Sequence, residues 1–132
     1  MKKILIAFVA LVLLFPSAYA QKKGAKNYVV GFYNLENLFD TYNDPAKNDE
    51  EFLPEGKNKW TDVKYQKKLT NMAKVIKSMK EANGAWHALL GVSEIENRLV
   101  LEDLVMEPQI AEANYQIVHY DGPDRRGVDV AL

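Results

Sequence analysis

The chain has 132 residues, with 17 lysines and arginines against 18 aspartates and glutamates, and no cysteine. A formal charge of −1 is not the basic profile of a nucleic-acid-binding protein, and an apolar share of 48% is not that of a disordered chain. Without cysteine, thiolate chemistry and a disulfide framework are both excluded.

The first twenty residues, MKKILIAFVALVLLFPSAYA, place Lys2 and Lys3 before an apolar run from Ile4 to Phe15, then Pro16, Ser17 and the small-x-small end Ala18-Tyr19-Ala20. That is the order of a secretory signal peptide. About a dozen apolar residues are too few to span a bilayer, so cleavage after Ala20 is expected rather than a stable membrane anchor. No cysteine near that position offers a lipid attachment. The product, residues 21–132, has 132 − 20 = 112 residues and 17 − 2 = 15 basic against 18 acidic side chains, a formal charge of −3. Its expected place is the periplasm or the outside of a bacterial cell, and its length suits one domain with a modest core.

A short basic leader, Gln21 to Asn27, precedes the first predicted strand, Tyr28 to Tyr33, in the stretch YVVGFYNLENLFD. Its β-branched and aromatic residues suit a strand buried on both faces. Asn34, Glu36 and Asn37 then break the apolar run. Either a polar loop closes the strand, or a site is built at its end. Thr41 to Lys59 reads as a long surface loop, and Asp49, Glu50 and Glu51 within it as a solvated acidic cluster, since their spacing fits no calcium loop. Thr61 is placed to cap a helix with its hydroxyl. Tyr65, Leu69, Met72, Ala73, Ile76 and Met79 recur at spacings of three and four and form one apolar stripe. The lysines at 64, 67, 68, 74, 77 and 80 fall mostly off that stripe, as on a solvated face. Asn83-Gly84 ends the helix.

Ala85 to Glu94 reads as a second strand with its core at Ala88 to Val92, breaking off into Ser93, Glu94, Glu96 and Asn97. A second helix is predicted over Leu99 to Met106, with interruption at Pro108 and a further turn to Ala113. A third strand is predicted over Tyr115 to Tyr120, a turn over Asp121 to Gly127, and the start of a fourth strand over Val128 to Leu132. A chain stopping inside a strand would leave an open apolar edge, so a fragment of a longer domain is expected. In open α/β folds, ligand sites gather at the carboxyl ends of strands. Hard divalent cations want carboxylate and carbonyl oxygens, which Asn34 or Glu36 beside Glu94 could supply. Polar residues end most strands, so spacing alone leaves an ordinary loop as the simpler reading.

Three segments in order, FYNLENLFD, LLGVSEIEN and HYDGPDRRGVDVAL, closely resemble the endonuclease/exonuclease/phosphatase superfamily, the metal-dependent phosphodiesterases related to DNase I and exonuclease III. More narrowly, they look like exported endonucleases of Bacteroidetes-type bacteria. The resemblance spans nearly all of residues 21–132 but only the N-terminal part of the family's domain. It implies an α/β fold, the N-terminal portion of a four-layer sandwich in which two packed sheets are flanked by helices. By the same resemblance, Glu94 matches the family's main Mg²⁺ ligand in this half. Asn34 matches the asparagine that organises metal and scissile phosphate, and Glu36 sits where some members place a further acidic ligand. Glu96 is then an outer group or a surface carboxylate, and Asn97 a helix cap. Arg126 is a phosphate contact or half of a surface charge pair, with Asp129 holding Arg126 or the backbone.

Neither His87 nor His119 matches the family's catalytic histidine, and both are expected to be structural, with Trp60 and Trp86 as packing residues. The implied activity is hydrolysis of a phosphodiester with Mg²⁺, or Mn²⁺ or Ca²⁺, with nucleic acid as substrate and no obligate protein partner. Small phosphoesters or phospholipid head groups, as in sphingomyelinase-like members, are the alternative within the family. The sequence contains no Asp-x-Asn pair and no Ser-Asp-His segment, which the family's complete site requires. The 112 residues alone are therefore expected to be unstable or inactive while the parent protein is a hydrolase, and a non-catalytic remnant or binding fragment is the reading from another class.

Overall fold

The structure is a computed structural model and describes residues 26–132; the expected signal peptide, residues 1–20, and most of the basic leader lie outside these residues. The elements in chain order are β1 (Val29–Leu38), α1 (Asp62–Asn83), β2 (His87–Ile95), α2 (Arg98–Val105) and β3 (Asp129–Ala131), with 3-10 turns at Glu50–Phe52 and Ala111–Ala113. The sheet order is β1-β2-β3, with β1 and β2 parallel and β3 antiparallel to β2. Parallel neighbours require a crossover, and α1 supplies it. The fold is mixed α/β, a three-stranded sheet with two helices, and fits part of an α/β domain.

The predicted stripe of α1 packs on one face of the sheet. Tyr65, Leu69, Met72, Ala73 and Ile76 are buried with Leu35 and Leu38 of β1, Val92 and Ile95 of β2, and Val100, Leu101 and Leu104 of α2. Truncating a buried leucine here, such as Leu69→Ala, costs about 2–5 kcal/mol through lost burial and a residual cavity. The other face carries Val30, Phe32, Leu89 and Val130, all exposed. Gly84 ends α1 in the left-handed region at φ 74°, which glycine adopts without a Cβ penalty. No described helix is long and apolar enough to cross a membrane.

Four expectations change. First, β1 does not stop at Tyr33 but runs to Leu38, through the polar stretch. Asn34 pairs with Ser93 and Leu38 with Ile95, so Leu35, Glu36 and Asn37 stand opposite Glu94 alone in a bulge. Second, Thr61 flanks α1 without a side-chain cap; its carbonyl instead accepts from the main-chain amides of Lys64 and Tyr65 at 2.9 and 3.0 Å.

Third, Tyr115 to Tyr120 is not a strand. Only its end pairs with β3, through the His119–Ala131 bridge and reciprocal bonds between Val118 and Leu132. Tyr115 and Ile117 pack against the core instead. Fourth, the Thr41 to Lys59 segment is tied down. Phe52 stacks on Phe39 at 4.1 Å, Trp60 Nε1 donates to the Phe39 carbonyl at 2.9 Å, and the Asn48 amide donates to the Arg125 carbonyl at 2.8 Å. Asp49 is therefore buried, while Glu50 and Glu51 remain exposed.

Candidate functional site

The bulge brings Asn34 and Glu94 together at the ends of the parallel pair. Asn34 Nδ2 donates to Glu94 Oε1 at 2.9 Å, and Asn34 Oδ1 accepts from the Glu36 amide at 2.7 Å. The two contacts fix which end of the amide is oxygen, since a flip would set donor against donor and acceptor against acceptor. Glu36, Asn37 and Glu94 all lie in the left-handed region, with φ of 51°, 59° and 58°. Asparagine tolerates that region, but for the two glutamates it costs about 1–3 kcal/mol each and persists only where the surroundings enforce it.

Here they do. Lys68 of α1 donates through Nζ to the carbonyls of Glu36 and Asn37, the latter at 3.1 Å, and the Glu96 amide donates to the Leu38 carbonyl at 3.0 Å. Strained backbone held open to solvent at the ends of two strands is a feature of functional sites.

The charges around the pair are mixed. Burial lowers the pKa of the Lys68 ammonium, and the carboxylates of Glu36 and Glu94 oppose that shift. Arg126 is exposed and grips Asp124 through Nη2 at 2.7 Å and Nε at 3.2 Å. Those hydrogen bonds hold the Asp124 carboxyl low, at about 2, and raise the pKa of Arg126, to which the charge of Glu94 also contributes. Of the two readings of Arg126, the surface pair with Asp124 is present in the structure, close enough to Glu94 for the two charges to interact. Asp129 does not hold Arg126: its Oδ1 accepts from the Gly122 amide at 2.8 Å and its Oδ2 lies 3.2 Å from His119 Nε2.

Immediately beyond lies a second group of acids, which is buried. Glu96 Oε2 accepts from the Asp40 amide at 2.8 Å, Asp40 Oδ2 accepts from Asn97 Nδ2 at 3.0 Å, and Asp40 Oδ1 accepts from the Tyr42 amide at 2.7 Å. Asn97 also caps α2, its Oδ1 accepting from the Val100 amide at 3.1 Å. Asp49 Oδ2 accepts from the Asp44 amide at 2.8 Å, and its Oδ1 is buried with no partner among the described residues. Burial pushes the Glu96 carboxyl up to about 7, assisted by the charges of Asp40, Asp49 and Asp44 and opposed by the Asp40 amide. Glu96 is thus a buried structural carboxylate rather than a surface one.

Of the predicted site residues, the structure joins Asn34 to Glu94, leaves Glu36 beside them with an exposed side chain, and sets Arg126 on the neighbouring turn. Lys68 is the residue the sequence did not single out. It sits in a run of surface-type lysines, and only the docking of α1 against the bulge distinguishes it. His87 begins β2, at the opposite end of the strand from Glu94, and its Nδ1 lies 3.3 Å from the Tyr115 hydroxyl. Trp60 and Trp86 pack as expected, edge-on against Phe52 and Tyr115.

The donor set fits a hard divalent cation. Asn34 engages Oε1 of Glu94 and leaves Oε2 for a ligand, and Mg²⁺ commonly takes one or two carboxylates while keeping several waters. The amide oxygen of Asn34 accepts from the Glu36 amide and keeps a second lone pair, while its Nδ2 orients the Glu94 carboxylate. No curated protein and no solved structure matches the chain. The model of the Endonuclease/Exonuclease/phosphatase family matches residues 29–132, from the start of β1 through all the elements described. The chain belongs to the endonuclease/exonuclease/phosphatase family, whose general chemistry is metal-dependent hydrolysis of phosphate esters.

Proposed function

We propose that this chain supplies the metal-side half of an exported, Mg²⁺-dependent phosphodiesterase acting on nucleic acid. The observation that carries the reading is the Asn34–Glu94 pair, 2.9 Å apart on strained backbone at the ends of two parallel strands. Glu94 holds the cation and Asn34 holds Glu94. The cation, when bound, neutralises charge on a phosphate oxygen and the leaving group. Arg126, exposed and already gripping a carboxylate with its fork, can exchange Asp124 for a phosphate, which it matches in geometry. Lys68 fixes the bulge that aims the pair. Glu36 adds negative charge at the rim and is the reserve oxygen ligand.

A polyanion is favoured over a small phosphoester by the exposed lysines of α1. Lys64 and Lys67 lie on the helix that delivers Lys68 to the site, where they can meet phosphates beyond the scissile one. The chain's net acidity is no obstacle, since affinity for phosphate is set locally. Export is read from residues 1–20, which lie outside the described part.

The test is an assay of this chain, and of the product of its whole reading frame, on DNA and on a chromogenic phosphodiester, with Mg²⁺ or EDTA. No cleavage by this chain alone, and cleavage of DNA by the whole product that needs Mg²⁺ and disappears in Glu94→Gln, is the expected result. Cleavage that survives EDTA or Glu94→Gln, or cleavage of lipid or small phosphoesters with DNA untouched, overturns it.

A further inference from the structure

His119 and Asp129 are the most enclosed charge-bearing pair among the described salt bridges, each side chain only 3% exposed, with His119 Nε2 at 3.2 Å from Asp129 Oδ2. Asp121 joins them: one ligand atom from each of the three residues lies within 4.8 Å of the other two. We propose that His119, Asp121 and Asp129 form a second cation site, for a transition-type divalent ion such as Zn²⁺, separate from the Glu94 site.

The separation follows from the register of β2 and β3. Val130 pairs with Ser93, which pairs in turn with Asn34, so these residues share one face of the sheet. Side chains alternate along a strand, so Asp129, next to Val130, points to the opposite face. His119 pairs with Ala131, two residues along β3 from Asp129, and lies on that same face. Asp129, buried opposite Ile95, and Glu94, set in the bulge between Ser93 and Ile95 and bonded to Asn34, therefore belong to separate ligand sets.

The local geometry is that of a preformed half-shell. Ligands bound tetrahedrally at Zn–N and Zn–O lengths of about 2.0–2.2 Å stand about 3.3–3.5 Å apart. The His119–Asp129 spacing is 3.2 Å, close to that edge. Asp129 is already oriented, because its other oxygen, Oδ1, accepts from the Gly122 amide at 2.8 Å. A Cβ at Gly122 would fall 2.5 Å from that oxygen, so only glycine lets the main chain lie on the carboxylate. The same turn of chain carries Asp121, whose exposed carboxylate is free to rotate the remaining distance and leaves a fourth position to water.

A clamp between His119 and Asp129 accounts for two of the residues. It makes no use of Asp121, whose exposed carboxylate stands close enough to complete a three-ligand set with them. An imidazole nitrogen in the donor set selects Zn²⁺ or Co²⁺ over Mg²⁺, the reverse of the oxygen-only set at Glu94.

The experiment titrates Zn²⁺ by calorimetry, and Co²⁺ by visible absorption, into the chain carrying Glu94→Gln, which removes the other site. One Zn²⁺ per chain is expected, with Co²⁺ developing the intense visible bands of a four-coordinate site. Asp121→Asn, an exposed substitution that leaves the packing intact, should weaken Zn²⁺ by at least about tenfold. His119→Gln should remove both the heat and the bands. Should His119→Gln fail to fold, Asp121→Asn decides alone. No Zn²⁺ binding by the folded parent, or an affinity unchanged by Asp121→Asn, overturns the site and leaves His119 and Asp129 as a clamp on the turn.

Discussion

Glu94 and Glu96 are two residues apart at the end of β2, and each meets a partner from the end of β1 or just beyond it. Their fates are opposite. Glu94 stands in an exposed hydrogen bond with the Asn34 side chain, one oxygen engaged and one available. Glu96 is buried, bonded to the Asp40 amide, and surrounded by a network through Asp40 and Asn97 that also caps α2. The left-handed turn at Glu94 and the three-for-one bulge opposite it rotate the chain between them, sending one carboxylate outward and the next inward. Residue type is the same, so what separates an available carboxylate from a strut is the number of protein partners and the access of water. Chemistry needs an unsatisfied oxygen at the surface, and stability needs none unsatisfied inside.

The comparison can be broken from either side. The largest effect is expected from Asp40→Ala, which deprives the part-buried Tyr42 amide and Asn97 Nδ2 of their acceptors. Each orphaned group costs about 1–3 kcal/mol, so a loss of roughly 3 kcal/mol or more in chemical denaturation is predicted, with Mg²⁺ affinity of the folded fraction unchanged.

Glu96→Gln sharpens the contrast through pH. With its folded pKa raised from the ordinary 4.5 to about 7, Glu96 keeps a proton in the native chain over a range where the unfolded chain has lost it. Its contribution to stability is therefore fully present below about 4.5 and lost as pH rises towards about 7, a fall of about 3 kcal/mol. Denaturation curves across that range should show the fall in the parent and a flatter profile in Glu96→Gln. The smallest effect belongs to the exposed pair. Asn34→Ala should reduce Mg²⁺ affinity by about 10–100-fold, the usual cost of losing an orienting partner, read by calorimetry while the folded structure is retained.

Much of the fold was legible because helical packing is local. The stripe from Tyr65 to Ile76 predicts the buried face of α1, Gly84 its end, and Asn97 the cap of α2. The residues of the pair were legible only through their resemblance to a family, since asparagine and glutamate at strand ends are commonplace. Four things were not legible. The extension of β1 to Leu38 depends on left-handed glutamates that no propensity favours. Lys68 looks like its neighbours until α1 is set against the bulge. Asp49 belongs to a polar segment, and its burial follows from the Phe39–Phe52 stack and the Asn48–Arg125 bond, both contacts between distant parts of the chain. The missing third strand has a similar cause: strand formation needs a partner, and Tyr115 to Ile117 have none among the described residues.

The most direct measurement of the central claim is calorimetric titration of Mg²⁺ into the parent chain, Glu94→Gln and Glu96→Gln under one set of conditions. The account predicts binding in the parent and in Glu96→Gln, and its loss in Glu94→Gln with the fold intact. Equal binding in the parent and Glu94→Gln, or loss in folded Glu96→Gln alone, would contradict it and move the cation from the open pair to the buried one.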